Sequence, residues 1–192
     1  MYKKIFYSLI LALIFISCKS KKTPEKNIAI KDSFQFAPII ELLTADANDV
    51  IQTPYFLYIT KERSGLKKKD SSALSRENFS SIIKPLLNIS ITKKDFKETS
   101  FEDLSTQSIS FVTSSIDTSN KIKSITTLLN SETKTLKNIF VVMYEQLHDT
   151  TIQKQYYWKA GKSLTIISKI QLPSKKEITE KEFINWNDKI EK

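Results

Sequence analysis

Residues 136–172, LKNIFVVMYEQLHDTTIQKQYYWKAGKSLTIISKIQL, decide the fold. They read as three strands, Leu136–Leu147, Thr151–Trp158 and Leu164–Leu172, rich in β-branched and aromatic residues and punctuated by His148-Asp149 and Ala160-Gly161. A two-residue turn at His148-Asp149 places Ile139, Val141 and Met143 on one face with Ile152, Tyr156 and Trp158. A loop of Ala160-Gly161 alone would set Trp158 opposite Ser163 and Tyr157 opposite Leu164, mixing apolar and polar residues on both faces. A three-residue loop, Lys159-Ala160-Gly161, changes the parity. It gathers Ile152, Tyr156, Trp158, Leu164, Ile166 and Ile170 on one side. A one-residue slip exchanges the faces, so the cleaner segregation is expected, with Gly161 at positive φ in a bulge.

The opposite face collects Phe140, Val142, Tyr144, Tyr157 and Ile167 among Gln153, Gln155, Thr165 and Lys169. It is too apolar for a solvated surface and too polar for a deep core. Either residues 33–60 cover it, since monomers seldom expose large apolar patches, or it is a docking surface with Phe140, Tyr144 and Tyr157 as its anchors.

Further strands are expected on both sides of this stretch. Ser108–Thr113 and Lys121–Leu129 precede it, with turns at 117–120 and 130–133. The tail from Ile178 to Asp188 alternates as an edge strand would, although Thr179 and Glu182 have the spacing of a helical capping box. Residues 33–104 read as mixed and mainly helical. Pro38 opens a short helix carrying Ile39, Ile40, Leu42 and Leu43, and Tyr55–Thr60 reads as a strand. Gly65 and Lys67-Lys68-Lys69 make an exposed turn. Ser75 caps a helix with Phe79, Ile82, Ile83, Leu86 and Leu87 on one stripe, and Pro85 either ends that helix near Lys84 or kinks it. The helix with Phe79, Ile82 and Ile83 is the natural cover for the Trp158 face. The fold class expected is α+β: an antiparallel meander of about five to seven strands packed against one or two N-terminal helices.

The front of the chain has a different character. Lys3 and Lys4 precede an apolar run from Ile5 to Ile16, and a small residue, Ser17, stands before Cys18. A positive start, a short apolar segment and a small residue at the cut are the parts of a secretory signal, and the run is short of the roughly 20 residues a membrane-spanning helix needs. Residues 1–17 are therefore expected to be a signal peptide and residues 18–32 a basic tether. Residues 33–192 form the single folded domain in this reading. Loss of Lys3 and Lys4 with the leader lowers the formal charge from +9 to +7.

Phe15-Ile16-Ser17-Cys18 resembles the lipobox of bacterial lipoproteins, with Phe15 where that family usually has Leu. The resemblance implies acylation of Cys18 and a membrane anchor through its lipid. Thr53-Pro54-Tyr55-Phe56, Lys97-Glu98-Thr99-Ser100-Phe101, Trp158-Lys159 followed by Lys162-Ser163, and Trp186-Asn187-Asp188 resemble a family of Bacteroidota lipoproteins with no assigned activity. That resemblance implies lineage and anchoring only. The basic segment after Cys18 departs from the acidic surface-export address of such lipoproteins, and position 19 lacks the Asp of the enterobacterial retention signal. An outer-membrane anchor facing the periplasm is the resulting expectation.

The residue inventory excludes much chemistry. Cys18 is the only cysteine, so the body has no disulfide, thiol nucleophile or Cys-based metal site. Gly65 and Gly161 are the only glycines, which rules out a P-loop or dinucleotide fingerprint. The only histidine, His148, stands in a turn beside Asp149, where a polar turn residue is its ordinary role. No metal site, cofactor or catalytic residue is expected. The positive charge is nearly all scattered lysine, with Arg63 and Arg76 the only arginines, so a solvated surface is favoured over a nucleic-acid patch. Two functional readings stand. The favoured one is a non-catalytic binding or accessory module of the cell envelope with a protein partner or an apolar ligand. The alternative is a small periplasmic hydrolase using carboxylates from Glu98, Glu102 and Asp103, or from Glu177, Glu180 and Glu182.

Overall fold

A computed structural model describes residues 36–66 and 69–187. The expected signal peptide, Cys18 and the tether lie outside the described residues. The first helix, α1 (Ile39–Gln52), follows Pro38 and buries Ile39, Leu43, Ala47 and Val50 along one stripe. It is longer than the short helix expected. It stops at Thr53, whose backbone is extended (φ −75°, ψ 141°), as steric contact with a following proline demands. The second helix, α2 (Arg76–Leu87), begins at Ser75, whose Oγ accepts from the Asn78 N–H at 3.2 Å. Pro85 sits inside its last turn, and the helix continues two residues beyond it. Arg76 donates to the carbonyl of Thr53 at 3.0 Å, tying the start of α2 to the end of α1.

Among the described residues nine antiparallel strands form one sheet: β1 (Tyr58–Arg63), β2 (Asp70–Ala73), β3 (Phe96–Asp103), β4 (Ser108–Ser115), β5 (Ile122–Asn130), β6 (Leu136–Leu147), β7 (Thr150–Lys159), β8 (Ser163–Gln171) and β9 (Glu177–Asn185). The order is β2-β1-β9-β8-β7-β6-β5-β4-β3. The chain from β3 to β9 is a continuous meander, and the β1–β2 hairpin extends it beyond β9. The α+β meander is as expected, with more strands than expected. Two added strands account for the count, and one expected strand has different bounds. The Tyr55–Thr60 strand begins at Tyr58 and runs on to Arg63. Residues 70–73 form a short strand, and residues 96–103, expected within a mainly helical region, form another.

The tail is a strand, but an interior one. On β9, Glu180, Lys181 and Glu182 face Arg63, Glu62 and Lys61 of β1, so every pair in that stretch is oppositely charged. Lys61 reaches Glu182 at 2.8 Å and Arg63 reaches Glu180 at 3.4 Å. Such exposed pairs contribute little each, about 0.2–1 kcal/mol, but together they specify register. The sheet ends are protected by polarity. β2 is short and fully exposed, and β3 carries Lys97, Glu98, Glu102 and Asp103.

In the central hairpins, Leu147 pairs with Thr150 around His148-Asp149, with His148 in the left-handed region (φ 50°). Trp158 pairs with Leu164, Tyr156 with Ile166 and Ile152 with Ile170, so the faces segregate as the alternation predicts. The loop has three residues but sits one place later, at Ala160-Gly161-Lys162, because Lys159 still pairs with Ser163. The turn is closed by the Lys162 N–H donating to the Lys159 carbonyl at 3.0 Å. Moving the loop by one residue at constant length shifts each pairing by two and leaves the faces unchanged. Gly161 has φ +65°, and a Cβ there would meet nothing within 4 Å. Gly161→Val should therefore cost backbone strain without a clash, about 1–3 kcal/mol, measured by urea unfolding. A Val variant as stable as wild type would refute this.

Candidate functional site

The inner face of the sheet carries the core, and both helices pack on it. Ile125, Ile139, Val141, Trp158, Leu164 and Ile184 are essentially inaccessible and belong to one cluster with Leu43 and Val50 of α1 and Phe79 and Ile83 of α2. Phe79, Trp158 and Trp186 meet in tilted and edge-on contacts, with ring centroids 5.3–6.2 Å apart. At this junction α1 supplies a polar lock. The Asp46 carboxylate accepts from the Trp158 indole N–H at 2.6 Å and from the Gly161 N–H at 3.1 Å. It satisfies a buried donor and fixes the β7–β8 loop with one side chain. Sequence reasoning missed Asp46, because its partners stand more than a hundred residues away.

The outer face is the candidate site. The expected cover from residues 33–60 is absent for the described part of that stretch, 36–60: α1 lies on the inner face, drawn there by its stripe of Ile39, Leu43, Ala47 and Val50 and by the Asp46 bonds to Trp158 and Gly161. Pairing sets Val112, Thr126, Phe140, Tyr157, Thr165 and Phe183 in one transverse row across six strands. Beside it run Val142, Gln155 and Ile167, and then Tyr144, Gln153 and Lys169. Phe140, Val142 and Ile167 are half-buried, while Tyr144 is 36% and Tyr157 42% exposed. The Lys123 ammonium lies 5.6 Å from the centre of the Tyr144 ring, a cation–π contact, and also donates to the carbonyls of Thr118 and Asn120. The surface is therefore an apolar and aromatic strip with hydroxyl and amide groups between, on a rigid framework. It suits contact with another surface better than enclosure of a small molecule.

Four of the six carboxylates considered for hydrolysis are occupied by structural tasks. Glu98 accepts from the Ala37 N–H at 3.1 Å and from the Thr113 hydroxyl at 2.8 Å. Asp103 accepts from the Ser105 and Thr106 hydroxyls and their backbone N–H groups, which lower its pKa to about 2 and make it the organiser of the β3–β4 turn. Glu180 and Glu182 pair with Arg63 and Lys61, and Glu102 and Glu177 are exposed. On the inner face the Tyr156 phenol is pushed up to about 12, first by burial and then by Glu145 and Glu182, so it stays neutral at ordinary pH. His148 is exposed in its turn. Among the described residues no cluster of His, Cys, Asp and Glu is arranged to hold a metal ion.

No family model and no curated protein matches the chain. Among solved structures it is similar to the S-type phycobiliprotein lyase CPES from Guillardia theta, at 11% identity over 82% of this chain and 99% of that one, with a TM-score of 0.26.

Proposed function

We propose that the protein is a lipid-anchored, non-catalytic binding module of a bacterial cell envelope, tethered through Cys18 to the outer membrane and facing the periplasm. Its outer sheet face captures a protein partner. The observation that carries this reading is the uncovered strip of Val112, Phe140, Tyr144 and Tyr157, apolar groups held on rigid strands with the amphipathic tyrosines exposed. The hydrolase alternative is not favoured, since Glu98, Asp103, Glu180 and Glu182 are each engaged by donors or cations.

The test replaces both tyrosines by serine and measures cross-linking to envelope proteins in intact cells. Truncation of interface anchors typically costs about 2 kcal/mol or more, so capture should fall by roughly 30-fold or more. The melting temperature should hardly move, because exposed substitutions change stability by about 0.5 kcal/mol or less. A strongly destabilised double variant would show that the tyrosines are structural, and the docking reading would be withdrawn.

A further inference from the structure

Strand alternation sorts charge between the two faces of the sheet. Lys97-Glu98 on β3 and Lys181-Glu182 on β9 turn the same way. Glu98 and Glu182 stand in the inner row of Val141, Tyr156 and Ile166, and Lys97 and Lys181 in the outer row of Val142, Gln155 and Ile167. Glu145, Glu180 and Glu182, all inward, pair with Lys154, Arg63 and Lys61. Outward, Lys169 is exposed in the row of Tyr144 and Gln153, and the Lys123 ammonium lies by the Tyr144 ring. No outward position from β4 to β8 carries a carboxylate.

The acids around the outer face lie at its margins. Glu62 of β1 pairs with Lys69 at 2.8 Å and also faces Lys181. Asp95, before β3, accepts from the Thr92 hydroxyl, and Asp103 closes the β3–β4 turn. Asp117, in the loop before β5, accepts from Ser119 and offsets part of the Lys123 charge. Asp149 and Glu177 are exposed at strand ends. The apolar and aromatic strip thus lies among lysines, with no carboxylate at its centre. Complementary charge around an apolar centre selects a partner and rejects surfaces of like charge. We infer that the partner of the outer face is a protein that presents carboxylates around an apolar anchor. The anchor seats on Val142, Ile167 and Tyr144, and the carboxylates meet Lys169, Lys181 and Lys123. A second copy of this chain does not qualify, because it would bring the same lysines. The inference rests on the docking reading proposed above.

The probe is a fluorescein-labelled random copolymer of glutamate and tyrosine, titrated with the full chain and read by anisotropy. Gln155→Glu with Lys169→Glu should weaken binding by about tenfold, the scale of a few partly exposed charge pairs, and Gln155→Lys should strengthen it. Ser174→Glu with Lys175→Glu makes the same change of charge in the exposed β8–β9 turn and should leave binding within about twofold. Equal losses from the two double variants, or no copolymer binding, overturn the inference. Displacement of the copolymer by phosphatidylglycerol vesicles also overturns it and assigns the lysines to a lipid surface. Cross-linking in cells separates this inference from the reading beneath it. If Tyr144→Ser with Tyr157→Ser loses capture while Gln155→Glu with Lys169→Glu retains it, the partner is not acidic and the docking face stands. If the tyrosine variant captures as well as wild type, both fall.

Discussion

Replacing Trp158 by alanine should destabilise the protein by about 3–5 kcal/mol, a large fraction of the roughly 5–15 kcal/mol that holds a domain of this size. Trp158 is 1% exposed and lies where α1, α2 and the sheet meet. Its removal opens a cavity between Phe79 and Trp186 and takes the shortest donor from the Asp46 carboxylate. Trp158→Phe separates the two effects. It keeps most of the apolar volume but leaves Asp46 with the Gly161 N–H as its remaining partner of the two, so a loss of about 1–3 kcal/mol is expected from the unmatched polar group. Asp46→Ala should cost a similar amount, and the double variant should cost less than the sum of the two, since both remove one interaction. Urea unfolding measures all four proteins. Strict additivity would show that the 2.6 Å contact contributes nothing to stability.

Cys18→Ala should move the protein out of the membrane fraction altogether. The variant lacks the thiol that would be acylated, and the described residues contain no helix long and apolar enough to cross a membrane. Each buried methylene of an acyl chain contributes about 0.8 kcal/mol to membrane binding, so more than one chain makes the anchor effectively permanent and its loss all-or-none. The measurement is incorporation of labelled fatty acid, read beside fractionation of the same cells. A wild-type chain that sediments with membranes, carries no label and retains residues 1–17 would defeat the lipoprotein reading and leave the folded body as described.

How much of this was legible beforehand differs from element to element. The central hairpins were readable because their information is local. Alternation from Ile139 to Met143, a two-residue turn and a glycine in the next loop fix the pairing parity, and parity alone decides which residues share a face. The Ser75 cap and the Phe79, Ile83, Leu86 stripe were readable for the same reason. β3 was not, because only Phe96 in it is buried and its strand state depends on pairing with β4. The sequence did hold a usable sign for β1 and β9, in the Lys-Glu-Arg and Glu-Lys-Glu runs at 61–63 and 180–182. Charge complementarity between segments more than a hundred residues apart becomes informative only once the topology makes them neighbours.

The sequence by itself determined the α+β class, the meander, the two apolar stripes of the helices and the division of β6, β7 and β8 into two faces. These follow from periodicity and turn chemistry within windows of a dozen residues. The sequence also pointed the Phe79 helix at the Trp158 face, and only the tertiary structure decided that α1 joins it there, leaving the opposite face as the candidate site. Both faces carry aromatic residues. The inner one took the helices because it offers the larger side chains, Trp158 and Trp186 against Phe79, and a buried indole N–H that needs an acceptor. Asp46 meets that need from α1, and a contact across 112 positions of chain leaves no mark on the local pattern of either segment.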